Sequence, residues 1–220
     1  MKKYRYITFL LGIILFVSCN PVEENLFDDS SAIRIEKSLL NTQDVLKNAE
    51  NGWLMEYFPA KGQAYGGYNL LASFTDDEAI FAGEIALATE TETGMYSLKQ
   101  SAGPVLTFDT YNDIFHFFSD PNSSVSGFGS NGVGMGGDFE FLVIKATQDS
   151  IILKGKKTAN KIVMTPLAKD LDWADFIDGI NDAADEMSFR KFEYQVNGKS
   201  IAATVNYRTL NFTYIDASGN

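Results

Sequence analysis

From Trp53 to Leu167 the chain runs through short, apolar-rich segments bounded by turns, with no helical pattern between them. Strands linked this tightly pair with their sequence neighbours, and a tight reversal makes the pairing antiparallel. The segments are "WLMEYF" (Trp53–Phe58, stopped by Pro59), then "YNLLASF" (Tyr68–Phe74) and "AIFAGEIA" (Ala79–Ala86) across the turn Thr75–Glu78. "MYSLKQ" and "PVLTFD" flank Ser101-Ala102-Gly103, "DFEFLVIKAT" and "SIILKGKK" flank Gln148-Asp149, and "KIVMTPL" (Lys161–Leu167) follows. The pattern predicts an antiparallel β-meander. A barrel and a sandwich satisfy it equally.

Two helices frame this β region. From Ser31, the residues Ile35, Leu39, Thr42, Leu46 and Ala49 recur at helical spacing, and Asn51-Gly52 supplies the stop. A second helix follows Asp170, its expected cap. Trp173, Phe176, Ile177, Ile180, Ala184 and Met187 form one stripe, and Asp172, Asp175, Asp178, Asp182 and Asp185 occupy the other side. That acidic side lacks the glycine position and closing glutamate of an EF-hand, so it reads as a solvated face. The fold class is therefore mainly β with two α-helices (α+β). Residues 31–169 form a helix plus antiparallel β domain, and 170–220 begin a helix-plus-β unit a second time. "FRKFEYQV", the Asn197-Gly198 turn and "TLNFTYIDASGN" echo the first half. Asp216–Asn220 is a turn with no strand after it, which is the pattern of a piece of a longer protein.

The N-terminus reads as a secretory leader. Lys2, Lys3 and Arg5 precede an apolar run from Ile7 to Val17, too short for a bilayer span of about 20 residues. Ser18 stands directly before Cys19, the layout of a bacterial lipobox, although Phe16 stands where such boxes usually carry Leu. On this reading residues 1–18 are a lipoprotein signal peptide, Cys19 carries the lipid, and the acidic stretch 19–30 is a tether. The expected location is the outer membrane, reached through the lipid anchor at Cys19.

Cys19 is the only cysteine and His116 the only histidine. No internal disulfide can form, so an apolar core must stabilise the fold. Thiol catalysis, cysteine-based zinc sites and paired-histidine metal motifs have no residues to use, and no metal or cofactor is expected. The formal charge of −11 disfavours nucleic acid and anionic lipid as partners.

"GPVLTFDTYNDIFHFFSDP" (Gly103–Pro121) is the most suggestive stretch. A dyad of His116 with Asp113 or Asp120 is conceivable, but the neighbours of His116 are apolar and favour a structural imidazole bonded to backbone. The chain carries 17 Phe and 10 Tyr, enough for both a core and a stacking platform. Tyr111, Asn112 and His116 are the ligand-binding candidates, and no catalytic residue is assigned. Gly127, Gly129 and Gly132 match GxGxxG, yet the strand-like Phe139–Leu142 follows where a phosphate site needs a helix, so the segment reads as a loop, lid or rim. Ser188–Lys191 matches SxxK without its companion motifs. Among 29 acidic residues nothing singles out a hydrolytic pair.

Several phrases together resemble a known family: Asn51-Gly52-Trp53 with Met55 and Tyr57, Gly66-Gly67-Tyr68-Asn69, the stretch Gly103–Pro121, Gly136–Phe141, and Leu153–Thr158. Their order is similar to that in the domain-of-unknown-function 4302 family of Bacteroidetes lipoproteins, over about Ser31 to Asn220. The resemblance implies a longer whole protein, and company with outer-membrane transporter components of the SusC/SusD type. It implies no catalytic residues. The expected role is an accessory binding module in the uptake of a glycan or peptide. A carboxylate-dependent hydrolase and a non-binding scaffold lipoprotein of a membrane assembly are the alternatives.

Overall fold

A computed structural model describes residues 28–101, 103–186, 192–206 and 208–212. The signal peptide, Cys19, most of the tether, Met187, the Ser188–Lys191 motif and the final Asp216–Asn220 turn lie outside the described residues. The chain divides between Ile33 and Arg34 into two units, and the architecture below concerns the second.

Period-two alternation sets the inside and outside of each strand. The strands are β1 (Trp53–Tyr57), β2 (Tyr68–Phe74), β3 (Glu78–Gly83), β4 (Glu92–Gln100), β5 (Pro104–Phe108), β6 (Glu140–Thr147), β7 (Ser150–Gly155) and β8 (Lys161–Pro166). Each pairs antiparallel with the next, and β8 returns to β1, with Met164 opposite Met55 and Pro166 opposite Trp53. The meander is thus a closed barrel and not a sandwich. Closure removes both sheet edges, which an open meander would leave unpaired.

The interior is filled by side chains. Trp53, Met55 and Tyr57 alternate inward along β1, and Leu70, Phe81, Leu106, Phe141, Leu153 and Met164 meet them from the other strands. An eight-stranded barrel has room for little else. Each fully buried side chain of this size contributes about 1.5–3 kcal/mol.

Different elements cover the two ends. Helix α1 (Ser31–Lys47) seats Val45 and Leu46 on the barrel, and the Trp53 Nε1–H donates to the Leu46 carbonyl at 2.9 Å. Gln43 and Lys47 reach Asp76 in the β2–β3 turn, while Asn41 reaches the Ala146 carbonyl on β6. The helix ends at Lys47, short of Ala49. Gly52 then adopts φ +79°, where a Cβ would stand 2.6 Å from the Ala72 carbonyl oxygen. The opposite end is plugged by the β5–β6 connection, which inserts Ile114, Phe115, Phe118 and Met135 into the core. This connection includes one helical turn, α2 (Ser123–Ser126).

Helix α3 (Trp173–Glu186) lies against the outside of the barrel, where Ile177 packs on Leu71 of β2 and Ala82 of β3. Its cap is Asp172, not Asp170: the Asp172 carboxylate accepts the N–H groups of Ala174 and Asp175 at 2.8 and 3.1 Å. A cap side chain reaches only the first free amides, and Asp170 stands two residues too early. The aspartates of the other side are exposed. A three-stranded sheet then follows, β9 (Phe192–Val196), β10 (Lys199–Asn206) and β11 (Thr209–Phe212), with β10 central. Both Asn197 and Gly198 take positive φ, as a tight hairpin turn requires.

Candidate functional site

The site begins where β5 stops. After Phe108 the polar run Asp109–Asn112 cannot continue an inward-facing strand, and the chain turns over the barrel mouth. Asn112 organises that turn: its Oδ1 accepts the Phe115 N–H at 2.8 Å, and its own N–H donates to His116 Nδ1 at 3.1 Å. A short 3-10 turn, His116–Phe118, follows. Phe115 and Phe118 point into the barrel, where the Tyr57 ring lies 5.7 and 4.9 Å away.

His116 is 8% exposed and sits at the rim of this plug. Burial pulls its pKa below the ordinary imidazole value of 6.5, against an opposing backbone hydrogen bond at Phe108. A neutral ring fits the N–H that enters Nδ1. Tyr111 stacks on the imidazole, with centroids 5.3 Å apart and planes at 25°, and remains 56% exposed. Phe139 meets the same imidazole at 5.9 Å and is 44% exposed. Tyr111, His116 and Phe139 therefore form an aromatic ledge, two open rings resting on one buried ring.

Of the three sequence candidates, the ledge unites Tyr111 and His116. Asn112 is buried beneath it as a support, and its Nδ2 has no hydrogen-bond partner among the described residues. Phe139 was not legible in the sequence. Alternation places it in phase with inward-facing Phe141, but the chain bends at Phe139 itself, just before β6 begins at Glu140, and leaves the ring outside.

The carboxylates around the ledge are engaged. Lys99 and Ser97 donate to Asp109; partial burial works against its ionisation, but these donors outweigh it and hold its carboxyl below the usual range. Asp120 accepts from the Tyr111 hydroxyl and from the Asn122 N–H. Partial burial, together with Asp120 and Asp113, raises the Tyr111 pKa. Glu92 accepts the Asp113 N–H. Among the described residues no three His, Cys, Asp or Glu side chains come together as a metal site.

Beyond Phe139 the ledge runs into a cleft of about 170 Å³ lined by Gly137, Asp138, Phe139, Glu140, Lys156 and Lys157. Buried Asp138 is saturated there: it accepts the N–H groups of Lys157 and Thr158 and the Thr158 hydroxyl. A Cβ on Gly155 would collide with this carboxylate, which is why the position is glycine. Glu140 pairs with Lys156 at 3.0 Å.

A family model described as Domain of unknown function (DUF4302) matches residues 23–220. The chain belongs to the DUF4302 family. No curated protein and no solved structure shows significant similarity to it. In this DUF4302 chain most of the phrases that carried the sequence resemblance are clasps. Gly136–Phe141 and Leu153–Thr158 meet through Asp138, and the Tyr57 hydroxyl donates to the Asp138 carbonyl at 2.8 Å. Asn51 donates to the carbonyls of Ala168 and Leu171 and so fixes the approach to α3. Gly66-Gly67-Tyr68-Asn69 receives Arg208 from the β10–β11 turn, over the Tyr68 ring and paired with Glu84.

Proposed function

We propose that this DUF4302 chain is a lipid-anchored outer-membrane protein that binds an extracellular glycan as an accessory to nutrient uptake. The observation that carries the binding reading is the ledge. Two aromatic rings stay open to solvent, and both rest on the buried His116 imidazole. Sugar rings stack on such faces through their C–H surfaces, and preorganisation limits the entropy lost on binding. The engaged carboxylates beside the ledge favour binding over hydrolysis. The lipobox layout at Ser18-Cys19 supports the anchor, and no helix among the described residues is long and apolar enough to cross a membrane. A transporter of the SusC/SusD type is the expected neighbour.

Two experiments test this reading. Cells grown with labelled palmitate should label the wild-type protein and leave Cys19→Ala unlabelled; label on both would remove the anchor. The detergent-extracted full chain should bind members of a soluble glycan panel, and Tyr111→Ala should weaken that binding about tenfold, a loss of roughly 1.4 kcal/mol of stacking. Unchanged affinity in Tyr111→Ala would remove the ledge as the binding surface. Binding of peptides alone would redirect the ligand class.

A further inference from the structure

The segment Lys145–Lys161 carries five lysines against one acid, Asp149, in a chain of net charge −11. The barrel gathers these lysines on one side. Phe141, Leu153 and Ile162 face the core, so Lys154 and Lys161 project from the outer face of β7 and β8, and exposed Lys145 lies on β6. Lys154 and Lys161 are direct partners in the β7–β8 register. Like charges opposite each other on adjacent strands oppose the pairing, since their Cβ atoms stand only about 5 Å apart. The side-chain ammonium groups of Lys145, Lys154, Lys157 and Lys161 make no hydrogen bond or ion pair with a described residue.

Lys157 joins this lysine face to the ledge. Its Nζ stands 3.6 Å from where a Cβ on Gly136 would lie, and it borders the cleft whose wall is Phe139. The acids of that cleft are committed, Asp138 to three donors and Glu140 to Lys156. The uncommitted charge beside the open Phe139 ring is therefore positive.

We propose that the ligand is an acidic polysaccharide, whose rings stack on Tyr111 and Phe139 and whose carboxylates or sulfates lie along Lys157, Lys154 and Lys161. This rests on the ledge reading and names its substrate class. A chain with one charge for every sugar or two suits a few spaced lysines on an otherwise acidic protein. A flat anionic membrane or a nucleic acid strand would bring denser charge against the acidic remainder.

The test uses the detergent-extracted full chain and five probes: oligogalacturonate, a sulfated heparin oligosaccharide, neutral malto-oligosaccharides, an oligothymidylate and vesicles containing phosphatidylglycerol. Binding to an acidic oligosaccharide should exceed binding to the neutral ones and weaken as salt is raised. The triple variant Lys154→Gln, Lys157→Gln, Lys161→Gln should lose roughly tenfold in that affinity with a melting temperature no lower than that of the wild type, since it removes the repulsion between Lys154 and Lys161. Equal affinity for neutral oligosaccharides, or a triple variant that binds and responds to salt as wild type does, overturns the proposal. So does preferential binding of the oligothymidylate or the vesicles, which would assign the lysines to phosphate. If neutral sugars bind and Tyr111→Ala weakens them, the ledge stands without the acidic ligand. If acidic sugars depend on the lysines but not on Tyr111, the ledge reading falls instead.

Discussion

Asp138 and His116 show how single side chains hold this molecule at its plugged end. Asp138 is an acceptor to three donors, which only a carboxylate can satisfy without turning a donor toward one of them. Asp138→Asn places an N–H against a donor, and the expected cost is about 1–3 kcal/mol, read as a lower urea midpoint. His116 predicts a pH effect. Its folded pKa lies below 6.5, so as pH falls through 6.5 the unfolded chain takes up a proton that the folded chain refuses. Its stabilising contribution is complete above that value and is lost on further acidification toward the folded pKa. Because the chain has no other histidine, His116→Gln should flatten the stability profile between about pH 7 and pH 5.5, measured by urea unfolding. An equal slope in both proteins would assign the acid sensitivity to carboxylates.

At the scale of elements, the β5–β6 connection closes the barrel with one set of rings and presents another to solvent. Phe115 and Phe118 are inside, with Phe115 4.3 Å from the Phe108 ring, whereas Tyr111 is outside. Phe115→Ala should cost about 3–5 kcal/mol through the cavity it leaves. Tyr111→Ala should change stability by less than about 0.5 kcal/mol, as at other surface sites, while affecting ligand binding. A thermal melt of the two variants separates the roles. Much at this scale was legible. β2 spans the predicted Tyr68–Phe74, the Asn197-Gly198 turn forms, and α3 carries its apolar stripe inward at Ile177. Errors fall at ends, where the cap moves from Asp170 to Asp172 and β3 stops at Gly83, short of Ala86. Periodicity weakens within the last residues of an element, and local hydrogen bonds then decide its end.

Over the whole molecule, Arg208 ties the β9–β11 sheet to the barrel by pairing with Glu84, whose side chain is 3% exposed and also accepts from the Asn69 N–H. Arg208→Ala strands that buried carboxylate. The expected loss is about 3 kcal/mol, with faster amide exchange in β9–β11 than in β1–β8 as the specific sign that the tie has opened. Uniform exchange across both sheets would assign the effect to the barrel. The sequence by itself determined the antiparallel strands, the two long helices and the absence of any internal disulfide, because alternation, helical spacing and residue counts are local properties. Only the tertiary structure decided that β8 meets β1, that the β5–β6 connection plugs the mouth, and that Tyr111, His116, Phe139 and Lys157 share one rim. Closure joins residues more than a hundred positions apart, such as Met55 and Met164, and leaves no mark on the period of either strand. The exposure of Phe139 likewise goes with a bend beside Asp138, whose carboxylate is held by the distant Thr158, which no window around Phe139 contains.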